Sequence, residues 1–462
     1  MQPASRKPSP MLRPWPFGLP LLRAIRRDPL GMMEHLHATQ GDVAHLKVLS
    51  TDLYYLFKPE TIRQVLVDHQ ADFVKEERIL RIFQSVHGAN VITTEGSVWE
   101  RQRRMLTPAF SLKRIAACAG LMAAATDGNI RQALPTESGE RALVDVDRLT
   151  TRITMDVILR ALFGYRACRE EADAVSLAVR GLSRQVMREF FWPLRPVAGL
   201  PYPGRAEKRR NLAVLRELIQ TQIHKRRQQT VPDDGASDML TLMLAARDDE
   251  AAPSHAGLSD EEIHDNCVGL FGAGHDTSAT ALTWWIGLMA KHPEWVERVR
   301  EETSGSAWAQ VPDRHDLTEA RCLTATLKEA MRLYPPSTAT FSRRAVRDVS
   351  VGGVTLARNA LVIVPIWSMH RDPRWFSEPE AFKPERFMPG AADIPRGAFM
   401  PFSVGPHFCL GQQFAMVEMA VIAARLVRQF DLSLPEGCAL PVPVVDLVLK
   451  PSTRLNVWFK RR

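Results

Sequence analysis

The chain lacks any close pair of cysteines. Six are spread over 462 residues, at Cys118, Cys168, Cys267, Cys322, Cys409 and Cys438. Without a Cys-x-x-Cys pair, a structural zinc site does not fit. A disulfide framework does not suit a chain this long, so a reducing, cytoplasmic setting is expected. No apolar run reaches the 18 or more residues that a spanning helix needs. The first 27 residues are rich in proline and arginine and hold no signal-peptide core. No transmembrane anchor is expected. Internal repeats and long low-complexity tracts are absent. So are nucleic-acid motifs: the aromatic residues are not interleaved with the basic clusters, and nucleic acid is not an expected partner.

What is present is an ordinary globular composition, 45% hydrophobic and 24% charged, with a net charge of +8. Such a balance favours an acidic partner.

Residues 1–40 read as a proline-rich arm and a first short helix. Trp15, Phe17 and Leu19 to Leu22 leave open a loose surface contact beside the plainer reading of a packed arm. Val43 to Phe57 alternates in the manner of a two-stranded piece of sheet. Pro59 opens a helix to about His69. Phe73 to Val98 shows Ile79, Leu80, Ile82, Phe83 and Val86 without a long period, either a loop over a ligand or a core-facing turn. Trp99 opens a helix and shares a face with Arg103 at i, i+4. Together they can hold a carboxylate, or they form a plain cation–aromatic pair. Helices dominate from Leu112 to Ala246, broken by the aromatic and proline-rich stretch Phe190 to Gly204, a mobile lid or a rigid connector.

Ser259-Asp-Glu-Glu262 reads as a capping box ahead of a long apolar helix reaching about Ala290. Its middle, Phe271-Gly-Ala273-Gly274-His-Asp276-Thr277-Ser278, sets two glycines, an acid and hydroxyls in a segment that is otherwise apolar. A glycine there costs about 1 kcal/mol relative to alanine, and such local violations mark functional sites. The plainer alternative is a core helix kinked by a back-bonded threonine. Leu317 to Leu333 reads as a helix with Glu329 and Arg332 at i, i+3. Short strands follow around Phe341–Ala345, Val349–Leu356 with a Gly352-Gly353 turn, and Leu361–Pro365. Ala381 to Pro401 looks irregular, and Leu432 to Phe459 reads as hairpin strands.

The most specific stretch is Phe402-Ser-Val-Gly-Pro-His-Phe-Cys409-Leu-Gly411, followed by a helical pattern from Gln412 to about Gln429. A thiolate just ahead of a helix N-terminus gains from the dipole and from free N–H groups. Glycine lets backbone approach something flat, and Phe402 can shield the sulfur. These features suit a cysteine that ligates iron. The bland alternative is one more buried cysteine.

Five stretches together are similar to one family. The cysteine loop, Ala273-Gly274-x-Asp276-Thr277, Glu329-x-x-Arg332, Pro384-Glu-Arg386-Phe387 and Trp99-x-x-x-Arg103 resemble, in order and spacing, the cytochrome P450 haem-thiolate monooxygenases. The resemblance spans essentially the whole chain. It implies a mainly α fold with small β-sheets, a triangular helix-rich prism around a buried haem, in a single domain over 1–462 with no fused reductase. It implies haem b with Cys409 as the iron ligand, and Phe402, Gly411 and Ala273 against the cofactor. Trp99, Arg103, Arg344 and His407 would hold the propionates, although arginine is commoner than histidine at the position of His407. Glu329, Arg332 and Arg386 would form a structural ion triad. Asp276 and Thr277 would relay protons to bound O₂, and NAD(P)H would supply electrons through a ferredoxin or flavodoxin-type partner and its reductase. Gly274-His275-Asp276-Thr277 and Gly411-Gln412-Gln413-Phe414-Ala415 also resemble the branch with long-chain fatty-acid hydroxylases. Ile82, Phe83, Val86, Leu270, Ala273, Thr338, Ala339, Thr340, Phe341 and Val448 are the expected pocket residues, for a hydrophobic fatty acid, terpenoid, steroid or polyketide. A monomer is expected. Two alternatives stay open: a peroxide-driven or rearranging haem-thiolate enzyme, and a non-catalytic haem or hydrophobic-ligand carrier.

Overall fold

The computed structural model describes residues 24–48, 50–191, 203–229, 238–247 and 257–462. Trp15, Phe17 and Leu19 to Leu22, and most of the stretch 190–204, lie outside the described residues.

Helices dominate, and one organises the rest: Asp260–Met289. The Ser259 hydroxyl accepts the Glu262 N–H at 3.2 Å, and the Glu262 carboxylate accepts the Ser259 N–H at 2.9 Å. This reciprocal box satisfies two otherwise free donors. From Ser278 onward the helix is buried on nearly every face, as an all-round apolar helix must be. Its two indoles are fully buried and both find acceptors, Trp284 at the Leu449 carbonyl (2.7 Å) and Trp285 at the Thr326 hydroxyl (3.0 Å).

The helix Val146–Phe163 lies along this one. The Thr154 hydroxyl donates to the His275 carbonyl at 2.9 Å, and the Thr150 and Thr283 hydroxyls meet at 2.8 Å. A Cβ on Gly274 would lie 3.0 Å from the Ile158 side chain. The glycine that weakens the helix lets its neighbour come close.

The β-structure is small. Five strands form a mixed sheet in the order Val43–Val48, Thr51–Leu56, Leu361–Ile363, Arg343–Ala345 and Phe73–Lys75. A three-stranded sheet joins Arg141–Asp145, Asn456–Arg461 and Phe430–Ser433, and two hairpins complete the set, Val349–Leu356 and Pro443–Pro451. Two apolar cores result, a larger helical one and a smaller one on the five-stranded sheet. No single helix among the described residues is long and apolar enough to cross a membrane.

The structure corrects the chain reading in three places. Phe73 to Val98 is not irregular: a strand, Phe73–Lys75, leads into a helix, Glu77–His87. The helix expected over Leu317–Leu333 is two, Arg314–Glu319 and Arg321–Leu333, broken at Ala320, whose φ and ψ of −70° and 68° are not helical. The strand Arg141–Asp145 interrupts the helices between Leu112 and Ala246; its partner strand, Asn456–Arg461, lies some 300 residues away and gives no local signal.

The helix Gln412–Gln429 buries Glu418 completely, and neither carboxyl oxygen has a hydrogen-bond partner. Ser278 faces it and relieves it only in part. Burial pushes this carboxyl up from 4.5 to about 8. Between those values the unfolded chain has released this proton while the folded chain retains it. Stability therefore falls as pH rises through the interval. Glu418→Gln keeps the shape and removes the titration. Thermal unfolding at pH 5 and pH 8 is expected to show wild type losing roughly 4 kcal/mol relative to this variant; parallel curves would mean that Glu418 is ionised in the fold.

Candidate active site

The stretch from Phe402 to Gly411 is a tight loop. The Cys409 N–H donates to the Phe402 carbonyl at 2.9 Å, and the Phe408 N–H to the Gly405 carbonyl at 3.0 Å. Gly405 has φ +79°, and a Cβ there would lie 2.0 Å from the Leu66 carbonyl oxygen, so only glycine fits. Gly411 caps the following helix. Cys409 sits deep in the fold yet has accessible surface, because it opens on an internal cavity of about 340 Å³. Burial pushes its thiol up, while the Gly411 N–H and the Arg103 guanidinium offset part of that rise. Phe402, Gly411, Phe414 and Met419 line the same cavity.

Cations gather on its rim. Arg103 lies over the Phe408 ring at 4.6 Å, and Trp99 meets His407 at a tilt of 32° with ring centroids 3.8 Å apart. Trp99, Arg103 and His407 all line the cavity. Glu95 holds the His407 Nε2 at 3.3 Å, leaving a buried Nδ1 with no partner. Burial lowers the His407 pKa, so the imidazole is neutral at pH 7. Arg344 is not on the rim. It pairs with Glu77 and Asn359 on the other face of its strand. Strand alternation puts Arg343 there instead, buried and directly across from Lys75 on the neighbouring strand. That alternation was available in the sequence and points to Arg343. Two like charges facing one another repel, and burial depresses both, the Lys75 ammonium to about 8.

The loop's approach is held from behind. Glu329 and Arg332 are fully buried and joined by two 2.8 Å contacts. Arg386 reaches Glu329 at 3.4 Å. Arg332 also donates to the carbonyls of His370 (2.8 Å), Pro379 (2.7 Å) and Ala381 (3.0 Å). The His370 ring, kept neutral by burial, accepts the Met400 N–H at 2.9 Å, two residues before Phe402.

The opposite wall is the long helix. Ala273, Gly274 and Thr277 line the cavity, and Leu270 joins them. The Thr277 hydroxyl donates to the Ala273 carbonyl at 2.8 Å. Asp276 does not pair with it. Its partner is Lys450 at 2.8 Å, which also binds Asp147 at 3.0 Å. Burial is the largest influence and would raise the Asp276 pKa; Lys450, together with His275 and Arg180, outweighs it and the carboxyl sits below the ordinary value. A polar cleft lined by Arg180, Arg184, Asp446 and Lys450 reaches Asp276 from outside. No sequence spacing linked Lys450 to Asp276.

A second, largely apolar cavity of about 410 Å³ adjoins the first, sharing Ala273, Thr277, Ala339, Thr340 and Phe341. Phe83, Thr338 and Val448 line it. Ile82 and Val86 do not. The segment is helical, so the 4-residue spacing of Ile79, Phe83 and His87 faces the cavity, while Val86 turns into the core.

A buried cysteine facing a threonine-bearing helix across an apolar slot, with unmatched cations at the rim, defines a thiolate cofactor enzyme. The comparisons agree. The family model described as Cytochrome P450 matches residues 8–457. Cyclooctat-9-en-7-ol 5-monooxygenase of Streptomyces melanosporofaciens is 30% identical over 450 residues, covering 94% of each chain. Cyclooctatin synthase of the same organism is 30% identical, covering 96% of each. The solved structure of retinoic acid bound cyanobacterial CYP120A1 superposes with a TM-score of 0.77 at 26% identity, covering 93% of this chain and 94% of that one. The chain belongs to the cytochrome P450 family and is a haem-dependent monooxygenase, an oxidoreductase that uses O₂. The residues present fit the family's haem. Among the described residues, Arg103 and Arg343 have no carboxylate partner, whereas Lys75 already meets Glu95 at 3.8 Å. An acidic edge placed there pairs both guanidiniums and, by favouring the protonated imidazole, gives the orphaned His407 Nδ1 a proton to donate.

Glu329→Gln is expected to strand the buried Arg332 charge. The urea midpoint should fall by the equivalent of about 3–5 kcal/mol, with loss of folded protein in the extreme. An unchanged midpoint would show that the triad carries no stability.

Proposed function

We propose that the protein hydroxylates or epoxidises a hydrophobic small molecule at a haem b held by Cys409. Its electrons come ultimately from NAD(P)H through a separate ferredoxin or flavodoxin-type partner and its reductase. The observation that carries the reading is the placement of Cys409 and Thr277 on one slot, with carboxylate-free guanidiniums at its rim. The haem, when bound, supplies O₂ activation and oxygen transfer. Arg103, Arg343, Trp99 and His407 would take its propionates, and Phe402 would keep water from the sulfur. The ion triad of Glu329, Arg332 and Arg386 is structural: it positions the loop and does not touch the reacting atoms.

Proton supply falls to Thr277 and Asp276. Thr277 is parked on the Ala273 carbonyl and turns into the slot to hold a proton there. Asp276 connects it to the polar cleft. Bound to Lys450 it is a carboxylate; freed from Lys450, burial raises its pKa and makes it a proton donor. This pair counts against the peroxide-driven reading, in which no proton relay is needed.

The apolar second cavity suits a terpenoid, steroid, fatty acid or polyketide. One relative is named for the monooxygenation of cyclooctat-9-en-7-ol, which supports a lipophilic skeleton. The chain acts as a cytoplasmic monomer.

Two measurements test the reading. The reduced protein should absorb near 450 nm with carbon monoxide, and Cys409→Ser should abolish that band; its absence in wild type sinks the thiolate assignment. Thr277→Ala should lower product per electron pair consumed by roughly ten-fold or more. Coupling that stays intact would refute the relay, and equal turnover on peroxide alone would favour the peroxide-driven class.

A further inference from the structure

One polar group on the substrate cavity is left without work by the chemistry above. His87 ends the helix Glu77–His87 and lines the apolar cavity beside Gly272 and Ala273. Its ring lies on the long helix so closely that a Cβ at Gly272 would be 2.9 Å from its Cε1. That explains a helix-breaking residue inside the longest helix: Gly272 makes room for the imidazole, as Gly274 makes room for Ile158.

The ring is held rigidly. Phe83 stacks on it at 6.0 Å, and Phe341 meets Phe83 edge-on at 4.9 Å. The turn that follows is clamped to the long helix. The Ala89 N–H donates to Asp265 at 2.7 Å, and the Val91 N–H to Asn266 at 3.0 Å. The Asn90 side chain donates to the His87 carbonyl at 2.8 Å. Among the described residues neither ring nitrogen has a hydrogen-bond or charge partner. Burial pushes its pKa down to about 4, so at neutral pH the ring is an uncharged donor and acceptor. Thr93 is engaged with the Gly88 carbonyl, Ser337 with the Ala339 carbonyl and Asp276 with Lys450, while the Thr340 hydroxyl, where this cavity joins the first, is also buried and without a partner.

We propose that His87 is a specificity-determining residue that hydrogen-bonds a neutral oxygen, a hydroxyl or ketone, on an otherwise hydrocarbon substrate. A buried polar group costs free energy until it is paired. An oxygenated ligand supplies the pair and a plain hydrocarbon does not. An uncharged imidazole beside apolar walls offers a carboxylate one N–H but no counter-charge, so the cost of burying that charge is not offset. The lining cation, Arg26, is exposed on the first helix near Pro29. The substrate is therefore a lipophilic alcohol or ketone, already oxygenated by an earlier reaction or carrying oxygen from its assembly. This rests on the monooxygenase reading of the same cavity.

The test measures dissociation constants for matched pairs: farnesol and its deoxy hydrocarbon, hexadecan-1-ol and hexadecane, with palmitate as the charged arm. Binding is read from the haem spin-state shift and separately by equilibrium dialysis. The dialysis comparison stands whatever the carbon monoxide band shows, and failure of that band would count against the monooxygenase reading alone. In H87F and H87L the preference for alcohol over hydrocarbon is expected to fall roughly ten-fold relative to wild type, with hydrocarbon affinity kept. H87Q, which still donates and accepts, should retain most of it. Using two apolar variants guards against one that fails to fold. Equal loss for both members of each pair would make His87 a packing residue only. An unchanged preference, or palmitate binding tightest with the same dependence on His87, would overturn the proposal.

Discussion

The structure depends on one buried ion pair. Glu329 and Arg332 have no exposure at all, and removing both from water is expensive. The fold recovers the cost by making Arg332 a hub. Its guanidinium meets Glu329 on one side and three backbone carbonyls between His370 and Ala381 on the other. A stretch with little regular structure of its own is thereby pinned to a helix. Through His370 and Met400 the same hub reaches the start of the cysteine loop. Rigidity at Cys409 comes from charge satisfied far behind it.

The long helix shows the complementary strategy. It gives up helix propensity at Gly272 and Gly274 and gains close approach on two sides. One side admits Ile158, which joins two core helices. The other admits a neutral imidazole to the substrate cavity. Between them Ala273 and Thr277 face the cofactor slot. Asp276 pairs with Lys450 on the second strand of the hairpin Pro443–Pro451, Val448–Pro451, whose first residue, Val448, lines the apolar cavity. Substrate occupancy and the charge state of Asp276 thus meet on one short strand.

Much of this was legible in local pattern. The capping box at Ser259, the helix after Gly411 and the Gly352-Gly353 hairpin each follow from a rule that spans a few residues, and each is in the structure. The rim was legible in part. Trp99 and Arg103 share a helical face, but the family resemblance implies Arg344 where strand alternation places Arg343. The helix Glu77–His87 was also legible, since Ile79, Ile82, Phe83 and Val86 fall at i, i+3, i+4 and i+7. What the pattern could not separate is which of these residues face the cavity, as Ile79 and Phe83 do, and which face the core, as Val86 does.

The amino-acid order by itself determined the cysteine loop, the acid–alcohol helix and the Glu-x-x-Arg pair, because each rests on residues close together in the chain, and the family followed from their order and spacing. Tertiary structure alone decided the partners. Lys450 meets Asp276 across 174 positions of chain, Lys75 meets Arg343 across 268, and His87 meets Gly272 across 185. Electrostatics and packing act through distances of a few ångströms, and no spacing rule carries them between elements that only the folded core brings together. The cysteine loop therefore announces the chemistry, while the cavity above it, and the neutral histidine on its wall, select what is oxidised.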